Sequence, residues 1–198
     1  MAITWQILDQ HQPHFLTSTI VDWIDIFSRK SYRDIVIDSL DYCIKQKNLT
    51  LYGYVIMTNH LHLIAQAEGN LSDFMRDFKK YTSVQILRAV QSAPESRREW
   101  ILHRFKRAVR GKSEKSFQVW QNGNHAEEIY SENFLWTKLD YIHLNPVRAG
   151  IVEKASHYIY SSASNYVTGK GILESVEVLD FPFVDVTRAG KVFKYHNY

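Results

Sequence analysis

The stretch "TLYGYVIMTNHLHLIAQA", residues 50–67, reads as two apolar runs joined by the polar pair Thr58-Asn59. Runs of that composition around a short polar turn predict a β-hairpin. The second run carries His60 and His62, two positions apart. Side chains alternate faces along a strand, so both imidazoles project from the same side. An apolar strand gains nothing from two adjacent titratable rings unless something binds them. Two neutral imidazoles on one face can hold a divalent metal, but two ligands are too few. The plain alternative is a pair of partly buried histidines hydrogen-bonded to their neighbours.

Outward from the hairpin, residues 13–20, "PHFLTSTI", read as a strand. The segment "SRKSYRDIVIDSLDYCIKQKN" reads as a helix: Ser31 and Asp34 resemble a capping box, and Tyr32, Val36, Leu40, Cys43 and Ile44 form its apolar stripe. Asn70 is placed to cap a second helix with the stripe Leu71, Phe74, Met75, Phe78 and, next in phase, Tyr81. That pattern fades near "QSAPES", and "KSFQVWQ", residues 115–121, is a short strand candidate. A last helix runs from about Ser131 to Asn145-Pro146, where proline is expected to end or kink it. The order β-α-β-β-α, a basic insertion, β, α suggests an α+β fold. It would be a ferredoxin-like antiparallel sheet with helices on one face. Residues 1–155 would form one domain including the insertion at about 94–115, and 156–198 a C-terminal wrapping tail.

A chain of 198 residues, 45% hydrophobic and 23% charged, is ordinary for one globular domain with a modest extension. Its one cysteine, Cys43, leaves no internal disulfide framework and fits a reducing compartment. No signal-peptide pattern and no membrane-length apolar run is present, so a soluble cytoplasmic protein is expected. The net charge of +3 is unevenly spread: residues 97–115 carry +6 and the remainder −3. That asymmetry points to a polyanion, against the plainer reading of a solvated basic helix and loop.

The helix "SENFLWTKLDYIHLNP" offers what the histidines lack. Leu135, Leu139 and Ile142 form its apolar stripe, and Tyr141 and Asn145 stack one turn apart on an adjoining strip with Lys138. A phenol beside an amide makes sense if Asn145 is a metal ligand and Tyr141 a nucleophile. The alternatives are a boundary tyrosine and a helix terminator before Pro146.

"NHLHLI" followed by "YIHLNPVRAGIV" resembles the single-tyrosine HUH transposases, specifically the REP-associated tyrosine transposases and their insertion-sequence relatives. HUH denotes His, bulky hydrophobe, His, here His60-Leu61-His62. "VIMTNHLHLI", "LSDFMRDFKKYTS", "VWQNGNH" and "YSSASNY" extend the likeness over most of residues 13–170. The resemblance implies an HUH-endonuclease-like fold and metal-dependent cleavage and rejoining of single-stranded, hairpin-bearing DNA through a 5′-phosphotyrosine. It implies His60, His62 and Asn145 as ligands of Mg²⁺ or Mn²⁺ and Tyr141 as the nucleophile. Tyr81 is the rival nucleophile, set aside because its stripe should face the core. The general base for the phenol stays open between water and Lys138. Phosphate contacts are expected from Arg76, Lys79, Lys80, Arg104, Lys106, Arg107, Arg110, Lys112 and Arg148, base stacking from Trp120, and a contact near the site from His125. A monomer is favoured over a dimer, and a nucleoid-associated location follows. The alternative functions are a domesticated hairpin-DNA-binding regulator that does not cut, and a phosphoesterase without a covalent step.

Overall fold

The computed structural model describes residues 7–109 and 116–180. Four strands form one antiparallel sheet: β1 (His14–Thr19), β2 (Leu49–Ile56), β3 (His60–Ala67) and β4 (His125–Glu128), in the spatial order β2-β3-β1-β4. Helices α1 (Lys30–Gln46) and α2 (Leu71–Ser92) complete the β-α-β-β-α-β order of a ferredoxin-like domain. Then come α3 (Arg98–Arg107), α4 (Glu132–Arg148) and α5 (Ala163–Thr168). The α+β antiparallel sheet read from the sequence is the observed fold, but helices cover both faces rather than one, because α4 packs opposite α1 and α2.

Strand register separates two faces. One carries Leu16, Leu61, Leu63 and Ala65, all buried, on the side covered by α1 and α2, which pack on each other. The other carries Phe15, Thr17, His60, His62 and Val55, and α4 lies across it. Gly53 in β2 sets how close α4 comes. A Cβ there would sit 2.6 Å from Leu139 Cδ2 and 3.0 Å from Ile142 Cδ1, so only glycine admits both side chains at this spacing.

Several local expectations need correcting. The α1 N-cap is Arg29, with no side-chain capping bond; Asp34 instead pairs with Lys30 and accepts the Tyr160 hydroxyl. Residues 115–121 form no strand: among the described ones, only an isolated bridge joins Trp120 to Ile20. The fourth strand is 125–128, too short and too acidic to read as one. Helix α4 passes through Pro146 and ends at Arg148, one turn beyond the expected stop. Tyr81 does not face the core. The buried residues of α2 run Leu71, Met75, Phe78, Thr82, Ile86 and Val90, and Tyr81 lies on the flank, 55% exposed.

The Asn70 cap is as read, accepting from the Asp73 amide. Residues 155–180 wrap the free edge of β2: Tyr160 O accepts from Ile56 N, and Glu177 N donates to Leu51 O. Residues 181–198 of the expected tail lie outside the described residues. No helix among the described residues is long and apolar enough to cross a membrane.

Candidate functional site

The register of β3 on β1 sets His62 opposite Thr17 and His60 opposite Thr19. Thr17 Oγ1 lies 2.8 Å from His62 Nδ1. Asn59, in the hairpin turn, holds the other ring. Its Nδ2 donates to Trp23 O at 3.3 Å, which turns Oδ1 toward His60 Nδ1 at 2.7 Å. An amide oxygen only accepts, so Nδ1–H of His60 donates and the neutral ring keeps its lone pair on Nε2. The two rings stand 4.7 Å apart, nearly perpendicular at 76°.

Burial holds both imidazoles below the ordinary histidine range. His62 falls to about 3, with the positive field of His60 and Lys138 adding to desolvation. At neutral pH both rings are therefore unprotonated, the form that donates a lone pair to a cation.

Helix α4 brings the tyrosine. Ser131 caps it by accepting from Phe134 N, and Trp136, Leu139, Ile142 and His143 are its buried side. Tyr141 leaves that side at the edge of the sheet, 42% exposed. Its ring meets His62 at 5.4 Å and Phe15 at 5.9 Å, both edge-on. Lys138, one turn earlier, lies over Phe15 at 4.4 Å and pairs with Glu127 of β4 at 2.8 Å. The Arg148 guanidinium stands 5.8 Å from the Tyr141 ring centroid. A phenol, two neutral imidazoles, the Lys138–Glu127 pair and the Arg148 guanidinium thus meet on one face of the sheet.

The residues fit a small divalent cation. No group of three or more His, Cys, Asp or Glu that could hold a metal occurs among the described residues. A cation on the histidine pair would therefore need an amide, water or substrate oxygen as well. Asn145 follows Tyr141 by one turn, and its buried Nδ2 has no hydrogen-bond partner among the described residues. Those amide hydrogens call for an acceptor such as a phosphate or water oxygen, whereas a cation would be held by Oδ1 of the same side chain.

Residues 24–109 match the family model described as "Transposase IS200 like". The chain is similar to the IS200-like transposases. The match includes His60 and His62 and stops before α4, so Tyr141 reaches the histidines through the fold alone. Among solved structures, a REP-associated tyrosine transposase bound to a REP hairpin superposes with a TM-score of 0.57 at 16% identity. That alignment covers 92% of this chain and 96% of the other. At that identity the likeness establishes the fold. A Deinococcus radiodurans R1 protein provisionally assigned as a transposase gives a TM-score of 0.43 at 14% identity, over 69% of this chain and 93% of the other. No curated protein matches the sequence.

The other contacts expected of this chain divide sharply. Trp120 is no stacking platform. It is 4% exposed, packs on Phe27 and Phe78, and donates Nε1–H to Thr82 Oγ1. Lys79 donates to Gly123 O at 2.7 Å, and burial lowers its pKa to about 8. It anchors a loop. Arg76 is exposed but shared between Asp73 and Asp77. Arg104 pairs with Asp22 at 2.9 Å. Lys80, Lys106, Arg107 and Arg148 are exposed; Arg110 and Lys112 lie outside the described residues.

His125 is not a loop histidine. It opens β4 and pairs with Thr17, which also pairs with His62, so it shares the face of the site. Thr17, Asn59, Trp23 and Glu127 were missed from the sequence. Asn59 could have been flagged as a polar neighbour of the first histidine; the other three depend on register and loop path.

Proposed function

We propose that this chain is a metal-dependent, single-tyrosine strand transferase acting on single-stranded DNA that carries a hairpin. The observation that carries the reading is the exposed Tyr141 ring 5.4 Å from the buried, neutral His62. The REP-hairpin complex of the superposing transposase supports hairpin DNA as the partner.

His60, His62 and Asn145 would hold Mg²⁺ or Mn²⁺, which when bound offsets negative charge on the scissile phosphate. The protein's own groups do the rest. Asn59 and Thr17 engage the two rings by their Nδ1 atoms, so Nε2 is the nitrogen each would offer a cation. Phe15 and Arg148 hold the Tyr141 ring at the edge of the sheet. Exposed Arg148 gives an anionic strand a cation to lie against, whereas Lys138 is held by Glu127. The Tyr141 oxygen attacks phosphorus, and the bond from phosphorus to O3′ breaks. The departing oxygen takes a proton and becomes a free 3′-hydroxyl. The phenol proton leaves to water, which reaches a ring 42% exposed. The new phosphotyrosyl bond keeps the phosphodiester energy, so a second 3′-hydroxyl can reverse the step and join strands without ATP. Tyr141 and His62 belong to one chain, which favours a monomer that supplies its own nucleophile.

The test is incubation with labelled single-stranded hairpin DNA and Mn²⁺, followed by denaturing electrophoresis. An adduct lost in Tyr141→Phe and kept in Tyr81→Phe is the expected result. Cleavage that survives Tyr141→Phe overturns it in favour of a phosphoesterase. Binding without cleavage overturns it in favour of a hairpin-binding regulator.

A further inference from the structure

A polar cleft of about 470 Å³ opens where the chain leaves β1. Asp22, Arg104, Arg107, Gln118, Gln121 and Asn122 line it. Its walls are built into the sheet. Gln121 N donates to Thr19 O at 2.8 Å and Val21 N to Val119 O at 2.9 Å, so residues 119–121 run beside the end of β1. Buried Trp120 bolts that segment to α2 through Thr82.

The side chains have set orientations. Arg104 pairs with Asp22 at 2.9 Å. Gln118 Nε2 donates to Trp120 O at 3.0 Å and to Asn122 Oδ1 at 3.1 Å. Gln121 Nε2 donates to Ile20 O at 3.4 Å. Each glutamine therefore retains its oxygen as an acceptor, and Asn122 retains its amide hydrogens as donors. Arg107 is exposed at the rim.

The connection to the histidines is direct. Asp22 and Trp23 are consecutive non-glycine residues with positive φ, 52° and 55°. Aspartate tolerates left-handed backbone but a bulky aromatic seldom adopts it, and strain of that kind gathers at functional sites. Asp22 faces the cleft, whereas the Trp23 ring, 61% exposed, stands edge-on to His60 at 6.4 Å. The turn places an exposed indole between the cleft and the first histidine.

We propose that this cleft receives one unpaired nucleotide of the strand held at the histidine–tyrosine site, and that Trp23 stacks on the adjacent base. The idea rests on the strand-transfer reading for its choice of ligand. Neighbouring carboxamide donors and acceptors match the hydrogen-bonding edge of a base. The exposed guanidinium of Arg107 matches the phosphate. Unstacked bases of single strands are read by this combination of edge contacts and aromatic stacking. The volume suits one small ligand. The cleft would thus read the base identity of one position close to the bond cut.

The experiment uses the full chain in EDTA and a DNA hairpin with a short randomised single-stranded tail, sequencing the bound fraction. Wild type is expected to enrich one base at a defined tail position. Gln121→Ala with Asn122→Ala should flatten that preference by ~10-fold and leave the other positions as they were. Arg107→Ala should weaken all sequences alike and reduce the salt slope by about one. Trp23→Ala should lose ~10-fold in affinity, and Trp23→Phe should retain it.

An unchanged preference in the double variant, or no preference in wild type, overturns the proposal. If the double variant loses its melting transition, exposed Asn122→Ala alone decides by the same readout. The two readings fail separately. Lost preference at one position without any Mn²⁺-dependent adduct keeps the cleft and removes the strand transferase. An adduct with unchanged preference does the reverse.

Discussion

Tyr81 and Tyr141 stand on helices that follow the histidine strand, and both are largely exposed, at 55% and 42%. Their surroundings have little in common. Tyr81 lies on the flank of α2, beside Asp38, Tyr42 and Asp77 in the groove between α1 and α2. Tyr141 lies on α4, beside His62, Phe15 and Arg148. The sheet separates them. Exposure makes a tyrosine accessible, but the face of the sheet decides what it can react with.

The largest break in this comparison is expected from the hydroxyls. Tyr141→Phe should remove the covalent DNA adduct by more than ~10³-fold, the scale seen when a nucleophile is deleted. Tyr81→Phe should leave adduct formation within about twofold, since the ring sits far from the chemistry on the other face.

Acid should act on the α4 side next. Burial lowers both His62 and His143 to about 3 from an unfolded value of 6.5. Between those values the unfolded chain binds protons that the folded one refuses, so stability is full above 6.5 and falls as pH drops toward 3. From pH 7 to 5 the loss should be about 2 kcal/mol for each histidine, read by urea unfolding. In His62→Gln the acid-induced loss should shrink by one histidine's share, and an unchanged slope would refute the assignment.

A smaller effect should come from Asn59→Ala, which removes the acceptor for His60 Nδ1–H without touching a proposed ligand. Mn²⁺ affinity by calorimetric titration should drop ~10–100-fold, the usual cost of losing such a support. Equal affinity would mean that the pair Asn59–His60 is only a turn contact.

The smallest concerns the seat of α4. Gly53→Val should cost about 1–3 kcal/mol in urea unfolding by driving Leu139 and Ile142 off the sheet. Adduct yield should fall with it while the surroundings of Tyr81 stay as they were. A stable variant with full yield would show that α4 tolerates being lifted.

Much of the frame was legible in the sequence because it is written in local chemistry. The hairpin with its two histidines on one face follows from period-two alternation around Thr58-Asn59. The Asn70 cap and the start of α4 near Ser131 follow from side chains that bond nearby backbone. Tyr141, Asn145 and Lys138 share a strip of α4 because of helical spacing. Where the local rules misled, tertiary contacts had overruled them. Pro146 stays inside α4, where its missing N–H forfeits one bond in a helix already seated on the sheet. Trp120 is core because Phe27, Phe78 and Thr82 converge on it from 38 or more residues away in sequence.

The sequence by itself determined the histidine pair, the tyrosine helix and the α+β class, since each rests on periodicity within about twenty residues. Only the tertiary structure decided that α4 lies on the histidine face and α2 on the other. Register between strands and the absence of a side chain at Gly53 set that choice, and both act between residues distant in the chain. The same holds for the cations. Of the basic residues expected to meet DNA, Arg104 and Lys79 are spent on Asp22 and Gly123, whereas Arg107 and Arg148 remain at the surface. A charge count cannot separate these fates, because it records how many cations there are and not which partners the fold brings to them.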